Sequence, residues 1–401
     1  MNPLKILLYR FVQCSLRIGA YFFSWKPPKL ISGPGVIKEI PLVLKNEGFK
    51  KPLIVTDANL LKLGLLDSLL ETLEKQGIVY VLYDKVQPNP TVQNAEEAAA
   101  MFKNEGCDCF IAFGGGSPMD CAKTAGVRLV RPRTSLSFLQ GFFKVVRKVP
   151  AIFAVPTTAG TGSEATIAAV VSNPDTHEKY AISDPALRPR FAILDPLVTV
   201  GLPKHITSTT GMDALTHAVE AFIGRSNTRH TKKDALKACK LIFENLPTAY
   251  EDGQNLEART NMLLASHYAG LAFTRAYVGY VHAIAHKLGG FYGVPHGLAN
   301  AVILPYVLDY YGNKIYKQLA QLADAAGIKA DDESEKAKAF INAIKDLNDS
   351  MQIPKTIREL REEDIPKLAK MAMKEGNPFY PVPVIMSRQD CEELLKKLLD
   401  K

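Results

Sequence analysis

From residue 29 to about residue 203, short apolar runs alternate with stretches of helical period. The runs 52–56 (PLIVT), 79–83 (VYVLY), 109–113 (CFIAF), 151–155 (AIFAV), 166–172 (TIAAVVS) and 191–194 (FAIL) have the length and content of buried strands. Between them, 58–75, 93–105 and 117–130 fit helices. This alternation predicts an α/β domain over 29–204, built on a parallel sheet. Beyond residue 205 the pattern changes to long amphipathic segments without strand alternation, so an all-helical domain is expected over 205–401. Pro203 and Lys204 mark the junction.

Residues 1–28 follow neither pattern. On a helical wheel Leu4, Leu7, Leu8, Phe11 and Ile18 share one side, and Arg10, Gln13 and Arg17 another. Phe22, Phe23 and Trp25 add apolar bulk. The longest uncharged run here, 18–25, is eight residues, against the ~20 apolar residues a membrane span requires. No A-x-A-like cleavage site is present, so a secretory signal is not indicated. Two readings follow: a helix packed on its own body or on a partner subunit, or a basic amphipathic helix in peripheral contact with an anionic membrane.

Composition narrows the class. With 47% hydrophobic, 22% charged and 8% aromatic residues the chain is ordinarily globular, which excludes disordered and collagen-like proteins. The net charge of +8 is local: residues 1–51 hold nine Lys/Arg against Glu39 and Glu47, leaving +1 for the other 350 residues. No nucleic-acid partner is expected from so neutral a body. Six scattered cysteines do not make a disulfide framework and suit a reducing, cytoplasmic setting.

The strand CFIAF runs into Gly114-Gly115-Gly116-Ser117-Pro118-Met119-Asp120. Ser117 is expected to cap a helix that begins with Pro118, and Asp120 to complete a capping-box-like pattern. A helix N-terminus opening on a glycine turn is an anion site suited to a pyrophosphate. A second strand, AIFAV, ends in the small, hydroxyl-rich PTTAGTGSE (156–164), which could flank the same ligand. Asp57 closes the first strand, where it could bind ribose hydroxyls or simply cap the next helix. The order of acid and glycines is not that of the G-x-G-x-x-G fingerprint.

Of eight histidines, His177, His205 and His230 lie in polar, loop-like surroundings and His267 in a helical stretch. The rest cluster. Asp213 and His217 are four apart on one helix face, His282 and His286 repeat that spacing, and His296 follows. One carboxylate with two or three imidazoles suits a divalent cation, Fe²⁺ or Zn²⁺. Spacing alone leaves open which of His282 and His286 faces the ion. Neither a zincin nor a P-loop motif is present.

Four stretches together resemble the iron-containing (group III) alcohol dehydrogenases: GGGSPMDCAK (114–123), PTTAGTGSEAT (156–166), GMDALTHAVEAF (211–222) and HAIAHKLGGFYGVPHGLANAVILP (282–305). The resemblance runs from about residue 29 to the C-terminus. It implies a Rossmann-like dinucleotide-binding domain, an all-α metal domain and a dehydroquinate synthase-like architecture. It implies Asp213, His217, His282 and His296 as metal ligands, leaving His286 in the cleft either to support a ligand from behind or to relay a proton. It also implies NAD, in preference to NADP, with its pyrophosphate on Gly115, Gly116 and Ser117 in the turn that Asp120 closes. Thr157, Thr158 and Thr161 would surround the nicotinamide half, with Asn89 on the adenosine side, Lys179 near a ribose and Asp57 as the acid tied to NAD preference. The implied activity is hydride transfer between a small alcohol or diol and nicotinamide, in a homodimer or higher homo-oligomer. The basic N-terminal extension departs from the compact members.

Two rival readings remain. A glycerol-1-phosphate dehydrogenase or dehydroquinate synthase-like enzyme would want a cluster of Lys/Arg near the metal motifs, where only Lys287 stands. A non-enzymatic, membrane-associated protein would leave both glycine loops without a purpose.

Overall fold

The computed structural model describes residues 2–21, 25–173 and 178–400. His177, Phe22 and Phe23 lie outside the described residues, as does the side chain of Lys179. Contacts divide the chain into two units, residues 24–201 and residues 202–401 together with 1–23.

Strands β1 (Lys29–Ser32), β2 (Pro52–Val55), β3 (Val81–Tyr83), β4 (Cys109–Gly114), β5 (Gly141–Phe142), β6 (Ala151–Pro156), β7 (Ala168–Asn173), β8 (Glu178–Ser183) and β9 (Phe191–Leu194) all belong to the first unit. Six of them form a parallel sheet in the order β1-β9-β6-β4-β2-β3. Every residue of β2, β4 and β9 is buried, as a sheet covered on both faces requires. Alternation along β4 supplies both layers. Phe110 and Ala112 join one apolar cluster; Cys109, Ile111 and Phe113 join the other. From β2 the chain moves outward to β3, then returns to β4 and continues the opposite way to β6. The direction reverses between β2 and β4, and the carboxyl ends of strands at such a point are where open α/β sheets bind ligands.

The N-terminal helix is α1 (Pro3–Tyr21), and the helices of the sheet unit are α2 (Ile40–Glu47), α3 (Ala58–Lys62), α4 (Asp67–Lys75), α5 (Val92–Asn104) and α6 (Gly116–Val130). Three features differ from the sequence reading. The helix expected over 58–75 is broken at Gly64, whose φ of 70° leaves the right-handed helical region. The run 166–172 does not enter the parallel sheet: β7 pairs antiparallel with β8 in a separate three-stranded sheet. The helix after the glycines starts at Gly116 with Gly115 as N-cap and no side-chain cap, so neither Ser117 nor Asp120 caps it. Asp120 points elsewhere: Oδ1 accepts from Ser163 Oγ (2.9 Å) and Oδ2 from the Val170 amide (3.0 Å).

The second unit is helical among its described residues: α7 (Lys204–Ile223), α8 (Arg229–Glu251), α9 (Leu256–Ala276), α10 (Tyr280–Tyr292), α11 (His296–Tyr311), α12 (Tyr316–Ala325), α13 (Glu333–Ser350), α14 (Ile365–Gly376) and α15 (Arg388–Lys396). α1 docks on this unit through its polar side. Arg10 donates to the carbonyls of Val382 (2.6 Å) and Pro383 (2.7 Å), and Gln13 to that of Tyr380 (2.8 Å). That strap contains Pro381 and Pro383 and has no regular structure, so its carbonyls take side-chain donors. Leu4, Leu7, Leu8, Phe11 and Ile18 consequently face away from the body, each more than half exposed. Among the described residues no helix is long and apolar enough to cross a membrane.

Lys123 on α6 is fully buried, and its Nζ donates to Ser163 O (2.7 Å), Ser163 Oγ (2.8 Å), Thr166 Oγ1 (3.0 Å) and Ala168 O (2.8 Å). Burial pushes this ammonium down to about 8, which leaves it charged at neutral pH and able to hold the second glycine-rich loop against α6. Lys123→Met would strand those acceptors, and it should cost roughly 3 kcal/mol. A fall in the urea midpoint checks this; an unshifted midpoint would show the ammonium to be dispensable.

Candidate active site

In the sheet unit, the turns after β2 and β4 flank the reversal point. Asp57, two residues past β2, caps α3: its Oδ1 accepts from the amides of Asn59 (3.0 Å) and Leu60 (3.1 Å). Gly114 ends β4 with φ of 148°, and a Cβ there would lie 2.5 Å from Pro118 Cγ. Only glycine makes that turn. The uncapped first turn of α6 then offers backbone N–H groups without side-chain partners, the electrostatics of an anion site.

The loop after β6 closes on this turn. The Thr157 amide donates to Gly114 O (3.0 Å), and a Cβ on Gly115 would meet Thr158 Oγ1 at 3.4 Å. A Cβ on Gly116 would meet Thr161 Cγ2 at 3.1 Å. Gly115, Gly116, Thr157, Thr158 and Thr161 are therefore one surface. Ser117 Oγ accepts from the amide of Asn89, which bridges in the loop before α5 at a positive φ of 58°. Asp120 lies beneath that surface, bonded to the loop that carries Thr161. Lys179 falls in β8 and is known here by its backbone alone.

In the helical unit, α7 carries Asp213 and His217, α10 carries His282 and His286, and α11 begins with His296. One potential ligand atom each from Asp213, His217 and His282 lies within 4.8 Å of the others, and all three residues are buried. His296 Nε2 stands 3.5 Å from Asp213 Oδ1. Asn300, one turn further along α11, directs Nδ2 at Asp213 Oδ1 (2.6 Å), His296 Nε2 (3.1 Å) and His282 Nε2 (3.2 Å). An amide nitrogen has two hydrogens, and here it meets three acceptors. His217 Nδ1 is also buried without a hydrogen-bond partner. Three acceptors compete for two amide protons, beside a buried imidazole nitrogen that has no hydrogen-bond partner. A divalent cation fits that donor set.

The ionisation states agree. Burial pushes the His217 imidazole down to about 4 and that of His282 to about 3, keeping both neutral, as ligands must be. Burial would raise the Asp213 carboxyl, but His217, His296, His282 and the Asn300 amide outweigh it and hold the group below its ordinary value. The His282 ring is fixed from behind. Its Nδ1 lies 2.6 Å from Glu220 Oε2, and Glu220 in turn accepts from the amides of Gly279 and Val281, each at 2.8 Å. With Nδ1 protonated, Nε2 keeps its lone pair for a ligand.

His286 takes a different partner, Glu375 Oε1, at 2.6 Å from Nδ1. Its ring stacks on that of His296 with centroids 5.2 Å apart. Sequence reasoning missed Glu220, Asn300 and Glu375. Glu220 lies seven residues after Asp213 and Asn300 four after His296, spacings that share a helix face. Nothing local marks Glu375. His205 and His230 are exposed and His267 is buried on α9.

Comparison with known proteins bears on both units. Residues 27–196 match a family described as iron-containing alcohol dehydrogenase, and residues 207–399 match its C-terminal region, described as Fe-containing alcohol dehydrogenase family, C-terminal. A 1,3-propanediol dehydrogenase of Citrobacter freundii is 42% identical over 353 residues, covering 86% of this chain and 91% of that protein. A lactaldehyde reductase of Escherichia coli (strain K12) is 34% identical, covering 86% of this chain and 92% of its own. Among solved structures, an alcohol dehydrogenase from Oenococcus oeni superposes with a TM-score of 0.90 at 36% identity, covering 94% of this chain and 100% of that one. A sulfoacetaldehyde reductase from Bifidobacterium kashiwanohense, solved in complex with NAD+, gives 0.84 at 29% identity over 93% of this chain and 97% of its own.

Two substitutions distinguish the two sets of residues. Gly116→Val should drive a branched side chain into Thr161 and weaken NADH binding at least tenfold, about 1.4 kcal/mol, with metal content unchanged, as read by nucleotide fluorescence titration and metal analysis. Glu220→Ala should do the reverse, lowering metal affinity by about 10–100-fold. Equal loss of both ligands in either variant would contradict the assignment.

Proposed function

The chain belongs to the iron-containing alcohol dehydrogenase family, and we infer that it interconverts small alcohols or diols and their aldehydes with NAD(H) and one divalent metal. The observation that carries the reading is the convergence of three buried side chains, Asp213, His217 and His282, whose potential ligand atoms lie within 4.8 Å of one another. His296 completes the proposed ligand set. When bound, the metal supplies Lewis-acid polarisation of the substrate oxygen, and the nicotinamide supplies or accepts the hydride.

The protein's own groups do the rest. Asp213 would neutralise part of the cation's charge, and the imidazoles of His217, His282 and His296 would supply nitrogen lone pairs. Glu220 holds His282 in one tautomer. Gly115, Gly116, Ser117 and the N-terminus of α6 receive the pyrophosphate through backbone N–H groups, with Thr157, Thr158 and Thr161 beside it. Asp57, Asn89 and Lys179 are assigned to the adenosine side, where the Asp57 carboxylate would repel a 2′-phosphate and favour NAD. His286 moves the alcohol proton to and from solvent at Nε2, since Nδ1 is engaged by Glu375.

A phosphorylated substrate is not favoured. Lys287, the cation nearest the metal motifs in sequence, has its Nζ 2.5 Å from Glu375 Oε2 and is committed to that carboxylate.

Short aldehydes and diols, assayed by NADH absorbance, test the activity. Chelation should abolish turnover, Fe²⁺ or Zn²⁺ should restore it, and Asp213→Ala should bind no metal and stay inactive. Undiminished turnover in metal-stripped protein would end this reading.

We further place the enzyme in the cytoplasm as a homodimer or larger assembly, with α1 in peripheral contact with anionic lipid. The outward apolar stripe of α1 has Lys5 at its edge, as an interfacial helix has a basic border, while Arg17 lies on the docked side and donates to the Arg225 carbonyl. Co-sedimentation with anionic vesicles, absent with zwitterionic ones and lost in a Leu7→Gln/Phe11→Gln variant, is the expected result. A change of oligomeric state in that variant, without lipid binding in the parent, would assign the stripe to a subunit interface instead.

A further inference from the structure

Glu375 stands on α14, 89 positions from His286, and three groups meet on its carboxylate. His286 Nδ1 lies 2.6 Å from Oε1, the Tyr380 hydroxyl donates to the same oxygen at 2.8 Å, and Lys287 Nζ lies 2.5 Å from Oε2. His286 and Lys287 are consecutive on α10, so one carboxylate ties two neighbouring side chains of that helix to α14. Burial would raise the Glu375 carboxyl, but His286 and Lys287 outweigh it and hold the group at about 2. At neutral pH it is an acceptor only.

The carboxylate is itself held. Tyr380 follows α14 in the strap whose carbonyls bind α1, and its own carbonyl accepts from Gln13 at 2.8 Å. A phenol on one oxygen and an ammonium on the other leave the carboxylate one orientation, with its remaining reach directed at His286. The arrangement parallels the one behind His282, where Glu220 is fixed by two backbone amides.

We propose that Glu375 is a positioning residue for His286. It accepts Nδ1–H, holds the ring as the Nδ1–H tautomer against its stacking partner His296, and leaves the lone pair on Nε2, the ring atom remote from α14. Lys287 serves the same end by anchoring the second oxygen. An imidazole without this partner exchanges tautomers and turns about its ring axis, so it presents the wrong atom part of the time. The inference rests on the proton-transfer role given above to His286, but it concerns the state of the ring and can be read without turnover.

The test uses the zinc-loaded full chain with ¹⁵N-labelled histidine, the His286 signals being identified by their loss in His286→Gln. The parent should show His286 protonated at Nδ1. Because Glu375→Leu alone strands Lys287, the informative variant is Glu375→Leu/Lys287→Met. There the His286 signals should move to a tautomer mixture, with kcat lowered about 10–100-fold and zinc content and the KM for NADH unchanged. Glu375→Gln, which still offers an oxygen to Nδ1–H, should recover most of the rate. An unaltered tautomer in the double variant would overturn the proposal, and so would loss of zinc in step with kcat. If His286→Gln itself reacts at the parent rate, the proton-transfer reading falls, while the tautomer spectra still decide what Glu375 does.

Discussion

Buried lone pairs that lack protons are the constraint on which the helical unit is organised. Asp213, His217 and His282 are almost wholly removed from water, and His296 joins them from the start of α11. Crowding such acceptors where water is excluded costs free energy that a cation among them would offset. The surrounding helices approach closely enough to enforce the crowding. A Cβ on Gly297 would lie 2.4 Å from the Thr209 carbonyl, and one on Gly279 would lie 2.6 Å from Glu220 Oε1. A side chain at Gly297 would push α11 away from the α7 backbone, and one at Gly279 would displace the Glu220 carboxylate that holds His282.

The sheet unit handles charge in the opposite way. Two of its charged groups near the glycine loops are used up inside the protein: Lys123 on four oxygens, and Asp120 on Ser163 and Val170. What remains at the turn itself is backbone. An anion there meets oriented N–H groups rather than a lysine, and the glycines let it come near them. The charged residues of GGGSPMDCAK therefore shape the surface on which a pyrophosphate would lie, and their removal damages the loop before it damages any contact.

Local pattern carried much of this information and distance hid the rest. The parallel strands were legible because burial on both faces demands unbroken apolar runs. β1 and β8 were not: KLIS has two consecutive apolar residues and is completed by β9, far along the chain, while EKYAIS opens on two charged residues. The four-residue spacings identified helix faces, which is a property of one helix. Which imidazole takes which carboxylate depends on α14 meeting α10, and no spacing encodes that. The faces of α1 could also be read, but not which one turns inward. Apolar residues usually do. Here the carbonyls of a proline-containing strap take Arg10 and Gln13 as donors, and the apolar face is left outside.

The two histidines of α10 show how far environment separates identical groups. They stand one turn apart, and each has a carboxylate 2.6 Å from Nδ1. The side chain of His282 is 2% exposed and that of His286 is 27% exposed. Glu220 comes from α7, the helix that bears Asp213 and His217, so the pull on His282 is toward the ligand cluster. Glu375 comes from α14 and draws His286 to the margin, where solvent reaches it. Burial holds His282 neutral far below physiological pH, which suits a group that keeps its lone pair for a cation. A half-exposed ring with one nitrogen engaged suits proton traffic through the other. Divergent surroundings of this kind are what assign different roles to chemically equal residues, and the helix supplies the pair while its two neighbours supply the difference.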